Sequence, residues 1–269
     1  MKCKLICMDI DGTLLNDEKK ISDRVKRSIQ KAKARGIRIA LATGRMPRGA
    51  DLVEEELKVP CIKICSAGTY ILMGDDCISN KVMAPEVLCR MEKEFSERYQ
   101  VPFWFFLGRE WYVTGIDSFV EREMEIMGCR PKLVRASEIA EIWKRSGTGP
   151  NKILFAAEAK TIQNLRREIE KAGIPGIDMA CSAEVFLEIF PQKVSKGTAL
   201  TAICRKLGIP REETIAFGDQ ELDLPLIEAA GIGIAMGNAI EKLKARADYV
   251  TKTNNDGGIA DALEHYLNV

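Results

Sequence analysis

Apolar and polar positions along the chain follow two periods in turn. Residues 4–10 form a short apolar run that ends in acids, and residues 23–35 then place Val25, Ile29 and Ala32 at helical spacing before stopping at Gly36. A second apolar run covers 37–42, a helical pattern 46–58, and a third strand-like run 61–65. Residues 70–73 and 77–79 flank Gly74–Asp75–Asp76, a turn signal that predicts a hairpin. The far end repeats the rhythm. Helices are predicted over 196–207, 222–230, 239–245 and 258–267, and strands over 214–217, 233–235 and 249–250. Alternation with short connections predicts a parallel sheet with helices on both faces.

The middle of the chain reads differently. From about residue 85 to about residue 184 it holds most of the aromatics, including Phe103–Trp104–Phe105–Phe106 and Trp111–Tyr112. Amphipathic helical patterns over 86–99 and 162–171 alternate with strand-like runs at 112–114, 153–157 and 185–190. This predicts a separate α+β domain inserted into the first.

Length and charge narrow the function. The chain has 269 residues, comfortable for two small domains, and 46% of them are hydrophobic, enough for sizeable cores. A net charge of +1, with basic residues spread along the chain, argues against a nucleic-acid or membrane-surface binder. Nine cysteines without C-x-x-C pairs, several inside apolar runs, read as small buried hydrophobes in a reducing compartment. One histidine, His265, and no zinc-type spacing leave little material for a zinc site. No signal peptide and no apolar stretch long enough to span a membrane is visible, so a cytoplasmic protein is expected.

The sharpest chemical feature is Asp9–Ile10–Asp11–Gly12–Thr13, directly after the first apolar run. Residues i and i+2 of an extended segment point to the same side, so two carboxylates converge at a strand's carboxyl end. Ligands of open parallel sheets bind there. Like charges so close require a cation or a shared proton, and a hard divalent ion such as Mg²⁺ fits an all-oxygen set. A carboxylate that attacks phosphorus forms an aspartyl-phosphate, while a second acid can protonate the leaving alcohol and later activate water. Gly12 lets the chain turn sharply out of the strand.

Three further segments bear on this. Ala42–Thr43–Gly44–Arg45 ends the second strand and offers a hydroxyl and backbone N–H groups to an anion, although alone it reads equally well as a plain glycine turn. Ser195–Lys196–Gly197 opens a helix, where a lysine opposes the macrodipole unless an anion lies near; alone it reads equally as a solvated lysine. Phe217–Gly218–Asp219–Gln220–Glu221–Leu222–Asp223 follows another apolar strand and adds two acids at a second strand end.

In order, these four segments resemble the four motifs of the haloacid dehalogenase superfamily. The insertion of about a hundred residues resembles the large α/β (type IIB) cap of its Cof-type phosphatases, as do Ala235–Met236–Gly237–Asn238–Ala239 and Asp248–Tyr249–Val250–Thr251 with Asn255–Asp256–Gly257. The resemblance implies an α/β fold: a doubly wound, Rossmann-like parallel sheet core over 1–83 and 188–269, with an inserted α+β cap over 84–187 that sets specificity. It implies a Mg²⁺-dependent phosphoric monoester hydrolase acting on a small phosphorylated metabolite. Asp9 would be the nucleophile and Asp11 the general acid/base. Thr43, Gly44, Arg45 and Lys196 would bind the phosphoryl group or substrate. Asp9, Asp11 (through its backbone carbonyl), Asp219 and Asp223 would make up the metal site, Asp223 in a supporting place. Two positions depart from the pattern: Leu222 stands where the family usually has asparagine, and Ser66–Ala67–Gly68 where it commonly has Asn-Gly-Ala.

Other signals are set aside. Cys129 and Arg135 match the C-x5-R spacing of cysteine phosphatases, but Pro131 removes an N–H and the loop has no glycine. Gly231 and Gly233 lack dinucleotide-binding spacing, no phosphate-binding G-x-x-x-x-G-K-[ST] loop occurs, and His265 reads as an exposed helix residue. The aromatics at 103–106 and Trp111 read as core of the inserted domain rather than pocket. Two alternatives stay open: a phosphotransferase or mutase on the same core, and a non-catalytic metabolite-binding or regulatory protein with a degraded site. Residues 14–23 are too short for the helical cap that mutases carry, and a dehalogenase would leave Asp11 without a task.

Overall fold

The computed structural model describes residues 2–269, and the chain divides into two compact units. One runs to Ser79 and resumes over Ser195–Val269; the other is Asn80–Val194. In chain order the first unit contributes β1 (Leu5–Met8), β2 (Arg38–Ala42), β3 (Cys61–Cys65), β4 (Tyr70–Met73) and all but the last residue of β5 (Asp76–Asn80). The second contributes β6 (Phe103–Leu107), β7 (Glu110–Val113), β8 (Lys132–Leu133), β9 (Lys152–Ala156), β10 (Ile177–Ala183) and β11 (Phe186–Pro191). The first then resumes with β12 (Thr214–Gly218), β13 (Ile232–Ala235) and β14 (Tyr249–Val250).

In the first unit the strand order is β14-β13-β12-β1-β2-β3-β4-β5. The strands from β14 to β3 are parallel, and β4 turns antiparallel to β3. Every residue of β1 is buried, as a strand covered on both faces requires. Alternation sorts the side chains onto two faces. Ile6, Met8, Ile39, Leu41, Ile215 and Phe217 pack with Val25, Ile29, Leu57 and Leu263 from the helices Asp23–Ala34, Pro47–Leu57 and Gly258–Leu267. Leu5, Cys7, Ala40, Ile62, Ile64 and Ala216 pack with Leu200, Ile203 and Leu226 from Lys196–Leu207 and Leu224–Ala229. The chain leaves β1 toward β2 on one side, while β12 flanks β1 on the other. Neighbouring connections therefore diverge at the carboxyl end of β1, the place where such sheets open a crevice.

The second unit is a six-stranded sheet, ordered β10-β11-β9-β6-β7-β8. One face buries Phe103, Phe105, Phe155, Leu187 and Ile189 against Leu88, Met91, Phe95, Trp143, Leu165 and Ile169. These last come from a helical run over 86–99, whose middle turn Met91–Ser96 is π-wound, and from the helices Ala136–Ser146 and Ala159–Ala172. The other face carries Trp104, Phe106 and Trp111, all buried.

Several expectations need correction. A boundary at 187/188 would cut β11, which pairs with both β9 and β10 and so lies wholly in the second unit; the chain returns to the first at Ser195. The other boundary falls at 79/80 rather than 83/84. The predicted helix over 222–230 is a 3₁₀ turn, Glu221–Asp223, followed by Leu224–Ala229. β6 was not legible as a strand, because residues on both of its faces are buried and apolar, leaving no alternation. The helix Ser118–Met127 escaped too, since only Val120 and Met127 of it are buried and its apolar stripe is weak.

Phe155 is fully buried at the centre of the second unit's core, 5.4 Å ring to ring from Phe103. Phe155→Ala is expected to cost about 3–5 kcal/mol in urea unfolding monitored by tryptophan fluorescence. A loss below about 1 kcal/mol would contradict this packing.

Candidate active site

The carboxyl ends of β1, β2, β3 and β12 bring Asp9, Thr43, Ser66 and Asp219 to one edge of the first unit's sheet. Asp9 follows β1 directly, and its N–H donates to the carbonyl of Phe217 on β12 at 3.1 Å. The parallel register Met8↔Phe217 thus sets Asp9 beside Gly218–Asp219.

Lys196 is the charge at the centre. The hydroxyl of Ser195 accepts from the N–H of Thr198 (3.1 Å) and the Thr198 hydroxyl accepts from the N–H of Ser195 (2.9 Å), a reciprocal cap that fixes where the helix begins. Gly197 lets that helix approach Leu224–Ala229: a β-carbon there would lie 2.0 Å from the carbonyl oxygen of Pro225. The Lys196 ammonium, 3% exposed, donates to Asp9 Oδ1 and Asp223 Oδ1, both at 2.6 Å. Burial alone would lower its pKa, but Asp223 and Asp9 outweigh burial and raise it, so the lysine is charged.

Asp223 is held on both oxygens. Oδ1 takes Lys196, and Oδ2 accepts from the backbone N–H groups of Asp219 and Gln220, each at 3.0 Å. Asp219 Oδ1 accepts from the Thr13 hydroxyl at 2.7 Å. Gly12, at φ +81°, brings the turn after β1 against Asp219; a β-carbon would fall 2.4 Å from its Oδ2. Oxygens of Asp9, Asp219 and Asp223 all lie within 4.8 Å of one another.

Three buried carboxylates thus face one ammonium. Burial, then the charge of Asp223, raises the pKa of Asp9, with Lys196 opposing. The same two causes push Asp219 up to about 7. Such a cluster carries uncompensated negative charge among hard oxygen donors, which fits a divalent cation such as Mg²⁺.

Asp11 stands apart from this cluster. Its carboxylate accepts a bidentate pair from Arg45, Nε to Oδ2 at 2.7 Å and Nη2 to Oδ1 at 2.6 Å, and a further bond from Lys19 Nζ at 3.0 Å. Burial acts to raise its pKa, but Arg45 and then Lys19 outweigh it and hold the carboxyl below the usual range. Gly44 precedes Arg45, and the Thr43 hydroxyl accepts from the N–H of Arg45 at 3.0 Å. Thr43 is buried.

The structure gives contacts to residues that lie outside the predicted site set. Thr13 lies inside the first motif, yet its bond to Asp219 is set by tertiary placement. Lys19 gave no signal beyond being one polar residue among several. Asn238 donates to the carbonyl of Gly12 (2.8 Å) and accepts from the N–H of Asn254 (3.0 Å), tying a distant loop to the first turn. Leu222 is buried and offers no polar atom.

Comparison with known proteins agrees across the chain. A family model described as haloacid dehalogenase-like hydrolase matches residues 6–263. The phosphatase YwpJ of Bacillus subtilis is 31% identical, over 98% of this chain and all of its own length. YcsE of the same organism, a 5-amino-6-(5-phospho-D-ribitylamino)uracil phosphatase, is 28% identical over 98% of this chain and 96% of its own. The solved structure of a HAD subclass IIB sugar phosphatase superposes with a TM-score of 0.84 at 26% identity, covering 99% of this chain and all of that one.

The acidic cluster predicts a pH signature. Between the unfolded value near 3.9 and the folded value of about 7, Asp219 binds more protons in the folded state. Its contribution therefore destabilises the metal-free protein as pH rises through that window. With chelator present, the melting temperature of the native chain is expected to fall relative to Asp219→Asn between pH 5 and pH 7.5. Adding Mg²⁺ should raise the native melting point more at pH 7.5 than at pH 5. A difference between the two proteins that does not change with pH would contradict the assignment.

Proposed function

The chain belongs to the haloacid dehalogenase-like hydrolase family, and from that premise we propose that it is a phosphatase that hydrolyses a small phosphorylated metabolite through an aspartyl-phosphate on Asp9. The observation that carries this reading is the Lys196 ammonium bonded to both Asp9 and Asp223 at 2.6 Å beside Asp219. It opposes the burial and the Asp223 charge that raise the pKa of Asp9, and it fixes the carboxylate at the sheet edge. Asp9 would attack phosphorus, and the bond from phosphorus to the alcohol oxygen would break, with Asp11 giving that oxygen a proton. Water would then attack the aspartyl-phosphate while Asp11 takes a proton from it, releasing inorganic phosphate and restoring Asp9.

Thr43, the backbone of Gly44, and Lys196 are the donors for the phosphoryl oxygens. Asp9 and Asp219 would hold Mg²⁺ with the backbone carbonyl of Asp11, and Asp223 would fix Lys196 and the Asp219 backbone. The ion would cancel repulsion between nucleophile and phosphate. Asp11 in its Arg45 and Lys19 clamp is ionised, the form suited to the second half-reaction. The proton it gives up in the first half is the one taken from water in the preceding turnover, and Asp11 can carry it only when loosened from Arg45.

We assign the choice of leaving group to the inserted unit, the cap. Trp104 and Trp111 on its sheet are buried, as core residues are. The leaving group proposed is a sugar-like or polyol-bearing one. Such a class agrees with relatives that act on a sugar phosphate and on a ribityl phosphate.

Hydrolysis of p-nitrophenyl phosphate tests the chemistry. Turnover is expected with Mg²⁺ and not with chelator, and Asp9→Asn should lose at least about a thousandfold in kcat. Undiminished turnover in Asp9→Asn would refute the nucleophile assignment. A native chain inert toward a panel of small phosphate esters would favour the binding-protein alternative, which Leu222 motivates.

A further inference from the structure

Ser66 sits at the carboxyl edge of the sheet together with the groups just described. The parallel register ends at Ala42↔Ile64, and the Thr43 N–H donates to the carbonyl of Ile64 at 2.8 Å, so Thr43 and the turn after β3 leave the sheet side by side. The turn after β3 is stitched to both candidate anion-binding segments. The Ser66 N–H donates to the carbonyl of Arg45 at 2.9 Å, and the Ala67 N–H to the carbonyl of Thr43 at 3.1 Å. Gly68, at φ +105°, lies so close to the helix opened by Ser195 that a β-carbon would be 2.4 Å from the Ser195 carbonyl oxygen and 2.9 Å from the Lys196 nitrogen. Three residues thus fix the spacing between Thr43 and Lys196.

The turn is held in a costly conformation. Ser66 and Ala67 are consecutive non-glycine residues in the left-handed region, at φ 49° and 60°. Such backbone persists where the surroundings over-determine it, and it clusters at ligand-binding positions. The Ser66 carbonyl accepts from the Thr69 N–H (3.3 Å) and the Thr69 hydroxyl (2.9 Å). The Ser66 hydroxyl, by contrast, is fully buried and has no hydrogen-bond partner. A buried hydroxyl left unpaired is costly, and native proteins rarely keep one without a use.

We propose that the Ser66 hydroxyl is a donor to a phosphate oxygen held between Thr43 and Lys196, a phosphate ligand outside the four motifs. This rests on the phosphatase reading above and adds one residue to its anion site.

The test is calorimetric titration of the Mg²⁺-loaded protein with inorganic phosphate, in the native chain, Ser66→Ala and Ser66→Asn, with melting curves and turnover of p-nitrophenyl phosphate alongside. Asparagine tolerates the left-handed region and keeps a donor. Ser66→Ala is expected to weaken phosphate binding about tenfold, the scale of one hydrogen bond to a charged group, without lowering the melting temperature, since no protein partner is lost. Ser66→Asn should restore most of the affinity. Unchanged phosphate affinity in Ser66→Ala, a native chain that does not bind phosphate, or an affinity loss matched by a drop in melting temperature would each overturn the proposal. The titration needs no turnover. Ser66-dependent phosphate binding in a native chain without turnover would therefore sink the phosphatase reading alone, and turnover with Ser66-independent binding would sink this inference alone.

Discussion

The site depends on one buried cation. Lys196, 3% exposed, bonds Asp9 and Asp223 from the first residue of its helix. Removing an ammonium and two carboxylates from water is expensive, and their attraction offsets this only when the hydrogen bonding is complete. The remaining oxygen of Asp223 is therefore met by two backbone N–H groups. That pair of bonds winds residues 219–223 into the tight turn that presents Asp219. One charge thus orders the nucleophile candidate, the supporting acid and the loop of the third acid.

This packing leaves no room for side chains at three glycines. Gly12 lets the first turn lie on Asp219, Gly197 lets the lysine's helix reach the turn after β12, and Gly218 lets β12 end against Asp223, where a β-carbon would be 2.3 Å from that of Asp223. The approaches at Gly12 and Gly218 crowd carboxylates together, and the approach at Gly197 sets one ammonium among them. The result is a concentration of negative charge that one lysine does not balance, which is the property a divalent cation and a phosphate ester exploit. Asp11, two residues from Asp9, is partitioned into a separate, cation-rich environment by Arg45 and Lys19. Two carboxylates in one short motif thereby differ in the direction of their pKa shifts, the usual condition for dividing nucleophilic and acid–base roles.

Much of the first unit was legible because each strand and helix there announces itself. Runs such as Leu5–Met8 and Cys61–Cys65 are apolar throughout and short, and the helices between them carry clean stripes. Three of the four motif segments were legible for the same reason: each follows a strand, so pattern alone places its acids or hydroxyl at one sheet edge, while Ser195–Lys196–Gly197 was legible as the start of a helix. The second unit was harder. Phe103–Leu107 has buried residues on both faces, so alternation vanishes, and the edge strand Lys132–Leu133 is too short and exposed to register. Within the site, the contacts that needed three-dimensional information were those between segments far apart in sequence. Thr13 on Asp219 spans 206 residues and Asn238 on Gly12 spans 226. The vacant hydroxyl of Ser66 had no signature beyond a departure from the family's pattern at that turn.

The role given to Lys196 is tested most directly by Lys196→Met, which keeps the bulk of the chain and removes the charge. Without the ammonium, Asp9 and Asp223 remain buried and mutually repelling, so their ionisation opposes folding. The variant is expected to lose about 3–5 kcal/mol at pH 7.5 in metal-free urea unfolding, less at pH 5, where Asp9, whose pKa is already raised, can take up a proton, and to regain part of the loss with Mg²⁺. An equal loss at both pH values, or none, would contradict the account of Lys196 as the charge that holds the site together.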